Sequence, residues 1–99
     1  MENTEKTEKK ILTADVARAL IATAKSGVLI IPNEYTEIAS QAFIGYSELR
    51  VVVIAGVQEI GMGAFAMCNN LIMVTISDGT KYIGTEAFAE CTSLYNVEI

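Results

Sequence analysis

Phe43, Phe65 and Phe88 stand 22 and 23 residues apart, each preceded by an alanine (Ala42, Ala64, Ala87) and followed six residues later by a leucine (Leu49, Leu71, Leu94). A period in the low twenties is the mark of a solenoid, a stack of near-identical coils in which each unit buries its apolar face only against its neighbours. Three units follow from the alignment: about 38–59, 60–82 and 83–99, opened by Ile38, Ile60 and Ile83. Each closes on an alternating pair, Val52 and Ile54, Val74 and Ile76, Val97 and Ile99. The same pair occurs upstream as Leu29 and Ile31, so a half repeat over 28–37 precedes the full units.

Two periodicities operate inside each unit. Leu49, Val52 and Ile54 carry an L-x-x-V-x-I spacing, and residues two apart on a strand point the same way, so Val52 and Ile54 enter the core together. The Ala-Phe segment sets a small residue beside a large one and follows a glycine (Gly61, Gly84) in two units of three. It reads as a helical turn on the opposite wall, with phenylalanine filling the coil. The connection at 77–82 is one residue longer than that at 55–59, and Asp78-Gly79 signals a turn within it. Together these features predict an α/β repeat solenoid whose strands stack in parallel about 4.8 Å apart.

The repeated stretches IGMGAFAMCNNLIMVTIS and IGTEAFAECTSLYNVEI, with the looser IASQAFIGYSELRVVVIA, resemble the BspA-like leucine-rich repeats, whose units read approximately I-G-x-x-A-F-x-G-C-x-x-L-x-x-V-x-I-P. The resemblance covers residues 28–99. The family glycine survives only at Gly45 and becomes Met67 and Glu90; the family proline survives only at Pro32; Tyr46 replaces the first cysteine. These departures suggest drifted repeats. The resemblance implies a right-handed β–α superhelix with a parallel sheet on its concave face. It also implies kinship with larger bacterial or protist surface proteins that bind host or partner proteins, no enzyme activity, and no residue-level binding site.

The N-terminal residues have another character. Residues 1–10 are charged and polar and read as a flexible tail. Residues 11–27 read as an N-terminal capping segment containing one amphipathic helix over 13–26. Thr13 is its N-cap, Asp15 lies near the positive helix end, and Val16, Ala17, Leu20, Ile21 and Ala24 share a face. Gly27 is placed to stop it in the left-handed conformation. The first coil of a solenoid needs such a cover. A membrane-surface helix is disfavoured by having only Arg18 and Lys25 as bases. The last unit lacks an equivalent cover: the sequence ends on the core position Ile99, which leaves a strand edge free to pair.

Charge narrows the partners. The formal net charge is −5, and from residue 28 onward eight acidic residues face only Arg50 and Lys81. Nucleic-acid binding depends on clustered Lys and Arg and is not expected. No apolar run approaches the ~20 residues of a membrane span, and no signal peptide is visible at the start. If this is the native start the chain is cytoplasmic; otherwise the surface location of the resembled family stays open.

No catalytic residues, cofactor site or metal site are assigned. The chain has no histidine and no tryptophan, and it lacks a phosphate loop and a G-x-S-x-G elbow. Gly61-x-Gly63 opens a repeat turn rather than a dinucleotide fingerprint. Cys68 and Cys91 share a phase in neighbouring units, which is open to three readings: buried thiols acting as small hydrophobes, a disulfide, or a metal pair lacking two ligands.

The functional lead is the sheet face turned away from the core. Its positions are Val28 and Ile30, then Arg50, Val51 and Val53, then Ile72, Met73 and Thr75, then Tyr95, Asn96 and Glu98. Two rows cross the coils: Val28, Val51, Met73, Asn96 and Ile30, Val53, Thr75, Glu98. An apolar outward row marks an interaction site, although strand propensity alone also favours β-branched residues there. The expectation is therefore a non-catalytic protein-binding module that takes an unidentified protein partner on its concave face. The alternative is a structural or self-assembly element, or a fragment of a larger repeat surface protein, that forms a homodimer through its uncapped C-terminal end.

Overall fold

The computed structural model describes residues 9–98; the expectations for residues 1–8 and for Ile99 lie outside the described residues. Among the described residues eight strands and one helix follow the order β1 (Ile11–Leu12), α1 (Ala14–Thr23), β2 (Val28–Ile31), β3 (Glu37–Ile38), β4 (Val51–Ile54), β5 (Glu59–Ile60), β6 (Met73–Ile76), β7 (Tyr82–Ile83) and β8 (Asn96–Glu98). The odd-numbered strands form one parallel sheet, β1-β3-β5-β7, and the even-numbered strands a second, β2-β4-β6-β8. Short strand, connector and long strand thus recur in order along the chain. This is a repeat α/β fold, and the sheet of two-residue strands is the part the sequence did not announce.

The register of the long strands follows the repeat. Leu29 pairs with Val52 and Val52 with Val74, while Ile31 pairs with Ile54 and Ile54 with Ile76. All six are buried. Burial alternates along β2, β4 and β6 as the two-residue period requires. Behind this sheet the Phe43, Phe65 and Phe88 rings stack nearly parallel, with centroids 4.9 and 5.5 Å apart. Such pairs contribute about 1 kcal/mol each beyond the area they bury.

The Ala-Phe segments are not helical turns. Alternate N–H groups point in different directions. Those of Gln41, Phe43 and Gly45 donate to the Met62, Ala64 and Ala66 carbonyls of the next coil at 3.0, 2.8 and 2.8 Å, and those of Ala42 and Ile44 donate back to Ala39 and Gln41. Gly63, Phe65 and Met67 repeat the pattern onto Thr85, Ala87 and Ala89. A helix would spend every donor within its own segment. Here half of them tie coil to coil, which is the stronger arrangement where a neighbouring coil offers matching carbonyls.

That geometry demands left-handed residues at two positions per coil. One row is Gln41, Gly63 and Glu86 (φ 59, 62 and 61°); the other is Gly45, Met67 and Glu90 (φ 78, 62 and 60°). The glycine of the repeat is therefore a conformational requirement that Met67 and Glu90 meet under strain of about 1 kcal/mol each. Replacing Glu90 with glycine is expected to raise stability by up to about 0.5 kcal/mol, since relief of the strain exceeds the added freedom of the unfolded chain. Gly45→Ala, where a Cβ meets nothing within 4 Å, is expected to cost about 1 kcal/mol through strain alone. Denaturant midpoints of the two variants check both signs.

Between β1 and β2 the connector is α1. Thr13 is its N-cap, the hydroxyl accepting from the Val16 N–H at 3.4 Å, with Asp15 in the first turn. Ala17 is buried, and Val16, Leu20, Ile21 and Ala24 pack against the core. The helix ends earlier than expected. Ala24 is already extended, and Ser26 and Gly27 (φ 57 and 77°) form a mirror-image tight turn in which the Val28 N–H donates to Lys25. Gly27 is thus the second residue of that turn into β2, not the helix stop. Lys9 and Lys10 reach the β3 side: Lys9 Nζ lies 3.5 Å from Glu37, and Lys10 Nζ donates to Glu34 at 2.9 Å.

Candidate functional site

The long-strand sheet aligns the outward residues into rows. Val28 pairs with Val51, Val51 with Met73 and Met73 with Asn96; Ile30 pairs with Val53, Val53 with Thr75 and Thr75 with Glu98. Leu29, Val52 and Val74 between them are buried, so the row residues lie on the other face of the sheet. Ile30 is 65% exposed and Val28 is exposed, while Val51, Val53, Met73, Thr75 and Asn96 are half-buried by their neighbours in the rows.

Arg50, Ile72 and Tyr95 stand one residue before their strands. The Arg50 N–H donates to the Gly27 carbonyl at 2.8 Å, that of Ile72 to Arg50 at 2.8 Å, and that of Tyr95 to Ile72 at 3.3 Å. The Arg50 stem lies close over Gly27, where an added Cβ would meet its Cγ at 2.7 Å. Arg50 therefore takes part in holding the turn before β2. Tyr95 presents its ring to solvent, 78% exposed.

The chemistry of the face changes along the stack. On β2 and β4 the outward residues are all aliphatic, β6 offers Met73 and Thr75, and β8 offers Asn96 and Glu98. An apolar surface that grades into polar groups at one edge is suited to desolvated contact with another protein's apolar side chains, the polar edge fixing orientation. Propensity alone remains the competing reason for the valines and isoleucines.

The cysteines sit elsewhere and are free thiols. Cys68 Sγ donates to the Phe43 carbonyl at 3.2 Å and Cys91 Sγ to the Phe65 carbonyl at 3.1 Å, so each ties its coil to the one before. Burial pushes the Cys68 thiol up to about 11 and raises that of Cys91 as well. At pH 8 Cys68 is therefore held as the thiol, and the thiolate is the reactive form. We expect iodoacetamide to leave Cys68 unmodified in the folded protein at that pH and to label both cysteines after denaturation, as mass spectrometry would read. The raised value also fixes a sign: the stability gained by burying a neutral thiol is intact below pH 9 and is lost as pH rises toward 11.

Among the described residues no group of three or more His, Cys, Asp or Glu could hold a metal ion, and no helix is long and apolar enough to cross a membrane. An indentation not foreseen from the sequence lies on the turn wall between the short and long strands. It is a groove of about 290 Å³ lined by Gln41, Ile44, Met62, Met67, Glu86 and Glu90, among others. Its signal in the sequence was the set of apolar residues at non-core phases, Ile44, Met62 and Met67.

A family model described as a BspA type leucine rich repeat region of six copies matches residues 22–99. No curated protein and no solved structure matches the chain.

Proposed function

The chain belongs to the BspA-type leucine-rich repeat family, and from that premise we propose that it is a non-catalytic protein-binding module whose partner docks on the outward face of the long-strand sheet. In this reading that face is the concave side of a right-handed superhelix, and α1 is its N-terminal cap. The observation that carries the proposal is the aliphatic row Val28, Val51, Met73 beside Ile30 and Val53, held at one register across three strands. Apolar side chains placed outward in phase are costly to a chain that gains nothing by covering them. The absence of histidine and the scattering of the acids support a role without catalysis. The excess of acids over bases argues for a protein rather than a nucleic acid.

Val53→Asp and Met73→Asp are expected to leave the fold intact and abolish capture of the partner. The check compares proteins retained by the immobilised wild type with those retained by each variant, after circular dichroism has established that the variants are folded. Variants that fail to fold would place both positions in the core and remove the proposed face.

A second reading is self-association through the last coil. It is favoured by one observation: Ile83 and Val97 are 39% and 44% exposed, whereas their equivalents Ile38, Ile60, Val52 and Val74 are fully buried. Light scattering on a variant extended by a polar capping helix tests it, with a monomer expected. A capped protein that still dimerises would exclude this end.

A further inference from the structure

We propose that Met62 and Met67 form an oxidation site on the turn wall, where a peroxide converts their thioethers to sulfoxides while the adjacent thiol, the core and the sheet face are spared. The two residues are 55% and 46% exposed, and both line the groove beside Ile44. Coils flank them on both sides: the Gly45 N–H donates to the Ala66 carbonyl and the Met67 N–H to that of Ala89, each at 2.8 Å. Their exposure is thus a property of a turn within the stack. The next residue along the chain has the opposite surroundings. Cys68 is fully buried, its Sγ donates to the Phe43 carbonyl at 3.2 Å, and burial holds it as the thiol at neutral pH. Oxidation of a cysteine follows thiolate character and access, and Cys68 has neither.

A thioether has no proton to lose before it reacts, so access alone orders the methionines. Met73 lies in the outward row of the long-strand sheet between Val51 and Asn96, half-buried by its neighbours, and is the slower target. In the step itself the methionine sulfur attacks one peroxide oxygen. The S–O bond forms as the O–O bond breaks, and the departing hydroxide takes up the proton of the transferred oxygen and leaves as water. Sulfur gives up two electrons and the peroxide is reduced. The sulfoxide is polar. At Met62 and Met67 it stands outside the buried core, so the ring stack and the hydrogen bonds between coils stay in place. Oxidation therefore turns an apolar strip of the turn wall polar without unfolding the chain.

Trypsin releases residues 51–81 as one peptide, which carries Met62, Met67, Cys68 and Met73 together. The test treats the folded whole chain with hydrogen peroxide at neutral pH, quenches with catalase, denatures, alkylates with iodoacetamide and reads that peptide by tandem mass spectrometry over time. Oxygen is expected on Met62 and Met67 first and on Met73 several-fold more slowly, with Cys68 recovered as the alkylated thiol. The same treatment in urea is expected to equalise the three methionines and to make Cys68 the first residue oxidised, because unfolding restores its thiolate and its access. Circular dichroism of the folded protein after conversion of Met62 and Met67 is expected to match that of the untreated protein. Oxidation of Met73 as fast as Met62 and Met67 in the folded protein, loss of the Cys68 thiol before they are converted, or unfolding on their conversion would each overturn the proposal.

Discussion

Gly61→Ala is expected to destabilise the protein by about 3 kcal/mol or more, at the upper end of what one inserted methyl costs in a packed site. A Cβ at Gly61 would lie 2.6 Å from the Ser40 nitrogen, 2.7 Å from the Ile38 oxygen and 2.8 Å from the Ala39 carbonyl carbon. Every one of these atoms is backbone, so no side chain can rotate away and the coils themselves must part. The same holds one coil further on, where a Cβ added at Gly84 would lie 2.6 Å from the Met62 nitrogen. The Gly61 N–H also donates to Ile38 at 2.9 Å, and that bond lengthens if the coils separate. The control is Gly79→Ala, with open space around the position and an expected change within about 0.5 kcal/mol. Urea denaturation of the three proteins checks the ranking. Equal stability of Gly61→Ala and Gly79→Ala would mean that the backbones do not approach as described.

Phe65→Ala is expected to cost about 3–5 kcal/mol, which rivals the whole stability of a small domain. The ring is fully buried between Phe43 and Phe88, so its removal opens a cavity with an aromatic wall on either side. The neighbours cannot collapse into it, because each is fixed by its own coil through hydrogen bonds such as Phe43 N–H to Ala64. Phe88→Ala should cost less, since Phe88 is half-buried and has a stacked ring on one side only among the described residues. A thermal melt in which the two variants lose the same stability, or in which Phe65→Ala loses less than about 1 kcal/mol, would count against a continuous ring stack as the core.

The parts of this fold that were legible in the sequence are those in which a side chain recurs at a fixed phase. The L-x-x-V-x-I spacing placed Leu29, Val52 and Val74 in one buried row and Val28, Val51 and Met73 in the outward row, and the structure pairs them in that register. The phenylalanine spacing gave the stack. The parts that were not legible depend on where backbone donors go. Glu59-Ile60 is too short to show alternation, so the second sheet was invisible. The Ala-Phe segment has the composition of a helical turn, and nothing in its side chains records that alternate N–H groups cross to the next coil. Gly45, Met67 and Glu90 looked like drift at a glycine position, yet all three hold the left-handed conformation. The conformational demand outlived the residue that met it most cheaply. Gly27 looked like a helix stop because it follows a helix; its role is set by the close passage of Glu48 and Arg50, which only the folded chain brings near.

The candidate sites divide along the same line. The sheet face could be read because each of its rows is one phase of one repeat. The groove could not, because its lining comes from phases before and after the phenylalanine in three different coils. Ile44, Met62 and Met67 were visible as apolar residues outside the core pattern, but only the stacking of coils sets them side by side.

Adjacent residues of β4 are proposed to serve different ends, Val52 holding the fold and Val53 meeting a partner. Thermal unfolding of Val52→Asp and Val53→Asp, followed by circular dichroism under identical conditions, tests it most directly. Val52 is fully buried and Val53 is not. Val52→Asp is expected to be unfolded at room temperature, because a carboxylate there has no partner. Val53→Asp is expected to melt cooperatively within a few degrees of the wild type. Equal loss of structure in the two variants would contradict the account, because both faces of the strand would then belong to the core and no outward face would remain for a partner.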